Sequence, residues 1–155
     1  MRFLLLICTI VCALLAGRLL APELGDTPPR HCEVCIVDHN NGGIVGDFKS
    51  AAAAIRNDRH GVLVIDGFCG SSCMTMADLA RPHACITPNA IFAYHQTNYG
   101  RPIPLSADLH AWAMAHGGFP RFGMPPNMMP NSAARQFWPL CDSATAHGSA
   151  TGAHL

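Results

Sequence analysis

The chain has 155 residues, enough for one domain around one core and too few for two independent ones. Half of the residues are apolar and 13% are charged, which excludes a disordered polar chain. Ten basic residues balance ten acidic ones, and no run of Lys or Arg could track a phosphate backbone, so nucleic acid is excluded as the expected partner.

The amino terminus reads as a secretory leader. Arg2 supplies the positive charge, and Phe3 to Gly17 is an unbroken stretch of apolar and small residues. As a helix this stretch rises about 22 Å, short of a ~30 Å hydrocarbon core. With Ala16, Gly17 or Ala21 as the last residue of the leader, the third residue back from the cut is a leucine (Leu14, Leu15 or Leu19) and not a small residue, so the alternative is an uncleaved anchor holding the chain to the membrane through residues 3–21. The expected divisions are a signal peptide or anchor over 1–21, a Pro-rich linker over 22–31, a domain over 32–142 and a disordered tail over 143–155. Export predicts a periplasmic or extracellular location. Six cysteines remain beyond the leader, namely Cys32, Cys35, Cys69, Cys73, Cys85 and Cys141, and in an oxidising compartment they predict disulfides in a pairing the sequence leaves open.

Within the domain, Cys32 to Val37 has strand character and runs into a turn at Asp38–Gly43. On a strand, Cys32 and Cys35 would stand about 10 Å apart, beyond the ~7 Å limit for bridging, so they are expected not to pair with each other. Val45, Phe48, Ala52 and Ile55 recur at helical spacing, and His60-Gly61 ends that helix. Val62-Leu63-Val64-Ile65 is a wholly apolar run of the kind buried on both faces of a parallel sheet. Gly67 to Ser72 then turns the chain into a second helix through Met76, Leu79 and Ala80, with Ser71 at its mouth. Strands come next at 84–87 and 90–95 around a Pro88-Asn89 turn, with His95 closing the second. A helix is predicted over 106–116, irregular chain over 123–130, and a short helix from Asn131 or Ser132 up to Pro139.

A strand, a sharp glycine-bearing turn, a serine and a helix form an arrangement that exposes a hydroxyl with helix amides directed at it. The plain alternative is that Ser71 is only a helix cap. Metal binding competes as chemistry, because nine histidines accompany Cys32-x-x-Cys35 and Cys69-x-x-x-Cys73. The cysteine pairs lack the matching second loop of a zinc site, and neither a metal nor a cofactor is expected.

Three blocks in order carry a family resemblance. Asn41-Gly42-Gly43-Ile44-Val45 resembles the Gly-Gly segment of the proteolytic subunit of Clp proteases. Gly67-Phe68-Cys69-Gly70-Ser71-Ser72-Cys73 resembles that family's nucleophile turn, and more closely the Cys-x-Ser-x-Cys form of exported bacterial relatives. Thr87 to Gln96 is similar to the Pro-Asn strand that ends in the family's catalytic His-Gln. The resemblance implies a Clp-crotonase-like α/β fold, with layered β-β-α units around a mostly parallel sheet and short C-terminal helices. It implies Ser71 as nucleophile, with Ser72 as the rival, His95 as general base, and the amides of Gly43 and Ser72 as oxyanion hole. By placement it gives Asp142 as third triad member; otherwise the site is a Ser-His dyad. The expected activity is that of an exported serine peptidase-like hydrolase acting on a peptide or protein substrate. The alternative is an exported binding domain of the same fold without turnover. The long helical handle of the Clp ring is largely missing, so the unfoldase partner and double ring are not carried over, and homo-oligomerisation stays open.

Overall fold

The apolar run at 62–65 sets the centre of the sheet. In the computed structural model, which describes residues 25–30 and 32–142, it begins β2 (Val62–Gly70), where Leu63, Val64 and Ile65 are at most 1% exposed. Such a strand needs neighbours on both edges, since an apolar run left at an edge would expose its ladder groups. One edge is taken by β1 (Val34–Asn40), parallel to β2 from Val34 opposite Val62 onward. The other is shared by two strands, β3 (Ala84–Ile86) against Leu63–Ile65 and β4 (Ile91–Tyr94) against Phe68–Gly70, both parallel. An antiparallel β5 (Asn127–Met129) closes the far side of β4. The domain is thus mixed α/β, with a mostly parallel five-stranded sheet and short helices.

Helices α1 (Val45–Asn57) and α2 (Ser72–Leu79) make the parallel connections and pack against each other. α1 buries Phe48, Ala51, Ala52 and Ile55, a stripe at helical spacing, and leaves Lys49 and Arg56 in water. α2 is buried from Ser72 to Asp78. Arg81–His83 forms a 3₁₀ turn into β3. α3 (Ala107–Ala115) buries Leu109 and Ala113, and the single-turn α4 (Asn131–Ala134) delivers Trp138, stacked 4.4 Å from Phe92 with its indole N–H donating to the Ala77 carbonyl. A charged knot ties α2 to the start of α3. Asp78 is buried, accepts from the Ser106 amide and hydroxyl, and pairs with Arg81, which also reaches Asp108.

Three expectations are corrected. First, β2 does not stop at Ile65 but runs to Gly70. Gly67 is not a breaker but a bulge: Val37 faces Ile65 and His39 faces Phe68, so Asp38 lies opposite both Asp66 and Gly67. A Cβ at Gly67 would stand 1.9 Å from the Asp38 carbonyl oxygen, so this close approach admits only glycine. Second, the Met-rich stretch expected to be irregular contains β5, which needs no apolar periodicity because it is a three-residue edge strand held by its ladder to β4.

Third, Cys32 and Cys35 are bridged, with Cα atoms 5.2 Å apart. The first strand starts at Val34, not at Cys32, and the bend at Glu33 folds the chain back enough to close the pair. The other bridges join Cys69 to Cys73 and Cys85 to Cys141. Three disulfides suit an oxidising, exported compartment. Among the described residues no helix is long and apolar enough to cross a membrane. The expected leader over 1–21 and tail over 143–155 lie outside the described residues.

Candidate active site at the carboxyl ends of β2 and β4

Neighbouring parallel strands present their carboxyl ends on one side of the sheet, and the turns leaving those ends form a common rim where α/β proteins place their ligands. β2 ends at Gly70 and α2 starts at Ser72, so the whole turn between strand and helix is one residue, Ser71. Its backbone has φ 54° and ψ −123°, and it is the single non-glycine residue with positive φ among those described. An L-residue there costs about 1–3 kcal/mol, which surrounding structure must hold in place. Three constraints do so. The Ser71 amide continues the sheet ladder by donating to the Ala93 carbonyl at 2.8 Å. The Ser71 carbonyl accepts the first helical bonds, from the amides of Met74 and Thr75. The Cys69–Cys73 bridge spans the turn with Ser71 at its middle, and both cysteines are fully buried.

The Gly-Gly loop lies directly on this turn. A Cβ at Gly42, whose φ is 83°, would stand 2.8 Å from Ser71 Cβ and from the Ser72 nitrogen and 2.6 Å from the Gly70 carbonyl oxygen. Gly42 thereby explains the loop's composition: only a bare Cα lets it approach the serine turn so closely. Its neighbour Gly43 donates its amide to Ser72 Oγ at 2.6 Å, and the Ser72 hydroxyl donates back to the Gly43 carbonyl at 2.9 Å. Ser72 is fully buried and serves as a clamp between loop and helix. Its own amide and that of Cys73 begin α2, where no preceding helical turn supplies acceptors.

His95 comes one residue after β4. Because Gly70 pairs with Ala93, Ser71 and His95 occupy the carboxyl ends of adjacent parallel strands. The His95 ring is half-buried against Phe122, with centroids 5.7 Å apart. Its Nδ1 bonds the carbonyl oxygen of Gln96. A carbonyl only accepts, so Nδ1 is the donor of this bond and Nε2 is the ring nitrogen left for another partner. The ring is thus oriented by backbone. The Gln96 amide in turn donates to Pro120, and burial pushes the Tyr94 phenol up as it donates to the His116 carbonyl, so the loop after α3 is fastened over the end of β4. His95 and Ser71 share no hydrogen bond in this conformation, and the Ser71 hydroxyl has no bonding partner among the described residues.

The residue before Asp142 is anchored beside β3. Cys141 is bridged to Cys85, and its amide donates to the Ile86 carbonyl. Ile86 pairs with Ile65, five residues before Gly70, a distance of roughly 15 Å along the strand. Asp108 is engaged elsewhere: the Arg81 guanidinium and the Ser106 hydroxyl hold its carboxyl below the usual carboxylate range. No group of three or more His, Cys, Asp or Glu side chains among the described residues could hold a metal ion.

Sequence reasoning missed the Gln96 carbonyl as the orienting group, since a main-chain acceptor leaves no residue signature. It also missed Asp26, whose carboxylate accepts from the Asn41 amide at 2.6 Å, because residues 25–30 read as linker. A cavity of about 550 Å³ lies away from the rim, between the Cys32–Cys35 bridge and α1, and contains none of the expected site residues. Comparison with protein-family models, with curated proteins and with solved structures finds no match to this chain.

Proposed function

We propose that the chain is an exported serine hydrolase of the Clp-crotonase type, acting on acyl groups in peptides, with Ser71 as nucleophile and His95 as base. The observation that carries this reading is the backbone of Ser71. A non-glycine residue held at φ 54° between a strand end and a helix start is a costly turn, and such strain persists where it presents a side chain for chemistry. A helix cap needs no such conformation, and the Ser71 side chain makes no capping bond.

In the proposed reaction Ser71 Oγ attacks the substrate carbonyl while His95 Nε2 takes its proton, and the amide of Ser72 stabilises the oxyanion. His95 then protonates the leaving amine, and water hydrolyses the Ser71 ester by the reverse proton path. The Gly43 amide joins the oxyanion hole once the Ser72 hydroxyl rotates away from it. The site is proposed as a Ser-His dyad completed by the Gln96 carbonyl, which His95 Nδ1 bonds.

The second reading is an exported binding domain of the same fold without turnover, favoured by the occupied Gly43 amide. A fluorophosphonate probe separates the two. Wild type should label, Ser71→Ala should abolish labelling, Ser72→Ala should largely keep it, and His95→Ala should reduce it by about 10³-fold or more with the fold retained. Folded, oxidised wild type that stays unlabelled would decide for the binding domain.

A further inference from the structure

The first disulfide differs from the other two in its surroundings. Cys32 and Cys35 both line the cavity of about 550 Å³ between the start of β1 and α1, a volume that suits a small molecule. The two sulfurs are unequal. Cys32 is half-buried, whereas Cys35 is 2% exposed and belongs to the core. A thiolate arriving through the cavity therefore meets Cys32, and the Cys35 sulfur is the one displaced. The displaced sulfur has a partner waiting: it lies 3.3 Å from the Cys32 carbonyl oxygen, to which a Cys35 thiol can donate. By contrast, Cys69 and Cys73 are both sealed in the core, and the Cys85–Cys141 bridge holds a loop with a sequence separation of 56.

Opening the first bridge leaves the sheet in place. Its sequence separation is 3, and so short a loop takes little freedom from the unfolded chain. The ladder beside it stands on main-chain bonds, with the Val62 amide donating to the Glu33 carbonyl at 2.8 Å and Val34 opposite Val62. A bridge that opens without unfolding its domain is able to cycle. The cavity also carries a charge preference. Its lining has three carboxylates, Glu33, Asp47 and Asp58, against the guanidinium of Arg30, which stands 3.8 Å from Asp47. One carboxylate is thereby offset, and the remaining negative charge favours a cationic visitor.

We propose that Cys32–Cys35 is a thiol–disulfide exchange site whose substrates are small aminothiols and their disulfides. In the reducing direction the aminothiolate sulfur attacks Cys32 Sγ. A new S–S bond forms to Cys32 as the bond to Cys35 breaks, and the Cys35 thiolate takes up one proton, equal to the one the incoming thiol gave up. A second aminothiolate attacks the aminothiol sulfur of this mixed disulfide, and Cys32 leaves as a thiol in the same way. Two thiols are thereby oxidised to one disulfide while the bridge is reduced to two thiols, and the reverse sequence reduces a bound disulfide and restores the bridge. No step involves Ser71 or His95, so the site stands independently of the hydrolase reading.

In the test, the full oxidised chain is treated with cysteamine, 2-mercaptoethanol or 2-mercaptoethanesulfonate at equal thiolate concentration, quenched with iodoacetamide and mapped by peptide mass spectrometry. Cys32 and Cys35 should become alkylated at least about 100-fold faster than Cys69, Cys73, Cys85 and Cys141, because access to the attacked sulfur sets the rate. Cysteamine should outpace the sulfonate about tenfold, and the double variant Glu33→Gln/Asp58→Asn should bring the two together, since each exposed charge contributes a factor of up to about five. In Cys35→Ser, cystamine should convert Cys32 to a mixed disulfide, and Cys35 in Cys32→Ser should react at least about tenfold more slowly. Circular dichroism should be unchanged by reduction of the first bridge. A first bridge that is reduced no faster than Cys85–Cys141, or only as the circular dichroism is lost, overturns the exchange site. Equal rates for the three thiols on wild type overturn the aminothiol assignment.

Discussion

Replacing Ser71 by glycine should stabilise the domain while removing the proposed nucleophile. The serine backbone at φ 54° costs about 1–3 kcal/mol relative to a residue without Cβ. Glycine gives back about 0.4–1 kcal/mol by widening the unfolded ensemble. That counter-effect is smaller than usual here, because the Cys69–Cys73 bridge confines position 71 within a short covalent ring in the unfolded chain too. The hydroxyl has no bonding partner among the described residues, so its loss removes no internal hydrogen bond. Against Ser71→Ala, which keeps the strain and also lacks the hydroxyl, Ser71→Gly should be more stable by about 1 kcal/mol, raising Tm by about 4 °C for a domain of this size. The comparison is made by thermal unfolding monitored by circular dichroism, with all bridges oxidised. A glycine variant no more stable than the alanine variant would refute the argument that the turn is strained, and with it the main support for a nucleophile at Ser71.

Two further outcomes test the frame around the site. The Cys85–Cys141 bridge closes a loop with a sequence separation of 56, so the double variant Cys85→Ser/Cys141→Ser should lose about 4 kcal/mol in denaturant unfolding. A loss under about 1 kcal/mol would mean that the chain after Trp138 is not held mainly by the bridge. In the knot between α2 and α3, Arg81→Met should cost about 3 kcal/mol, because Asp78, whose side chain is 1% exposed, would lose its ion-pair partner. The same residue governs an acid dependence. The Asp108 carboxyl is depressed in the fold by Arg81 and Ser106, so its stabilising contribution is complete above its ordinary value of 3.8 and is lost as pH falls below it. Asp108 is over half exposed, so this contribution is under about 1 kcal/mol; urea unfolding at pH 6 and pH 3 should show it in wild type and not in Arg81→Met.

The parallel core was legible because burial on both faces leaves a mark in composition: Val62–Ile65 could be little else than a central strand. The serine turn was legible for a related reason, since glycines and cysteines cluster where backbone must approach backbone. Boundaries were not, because the glycines that stop a helix in one place make a bulge in another. Gly67 is indistinguishable by type from a breaker, and only the register of β1 against β2 shows that the strand continues through it. Cys32 and Cys35 show the same weakness: a shift of two residues in the start of β1 turned an impossible bridge into an observed one. Distances between segments were beyond reach altogether. The sequence says where Asp142 falls along the chain and nothing of the Cys85 bridge that anchors its neighbour Cys141 to β3.

The bridge across the serine turn has a consequence for the life history of the protein. Cys69 closes the end of one element and Cys73 opens the next, so one covalent bond encircles the single residue that joins them. With both sulfurs sealed from solvent, the bond must be made before the surrounding core finishes closing, not added to a completed domain. Oxidation is therefore an early step in maturation and not a finishing touch. A chain kept in a reducing environment would pack its sheet with the turn unstapled, free to relax toward ordinary backbone angles and to carry the serine off its mark.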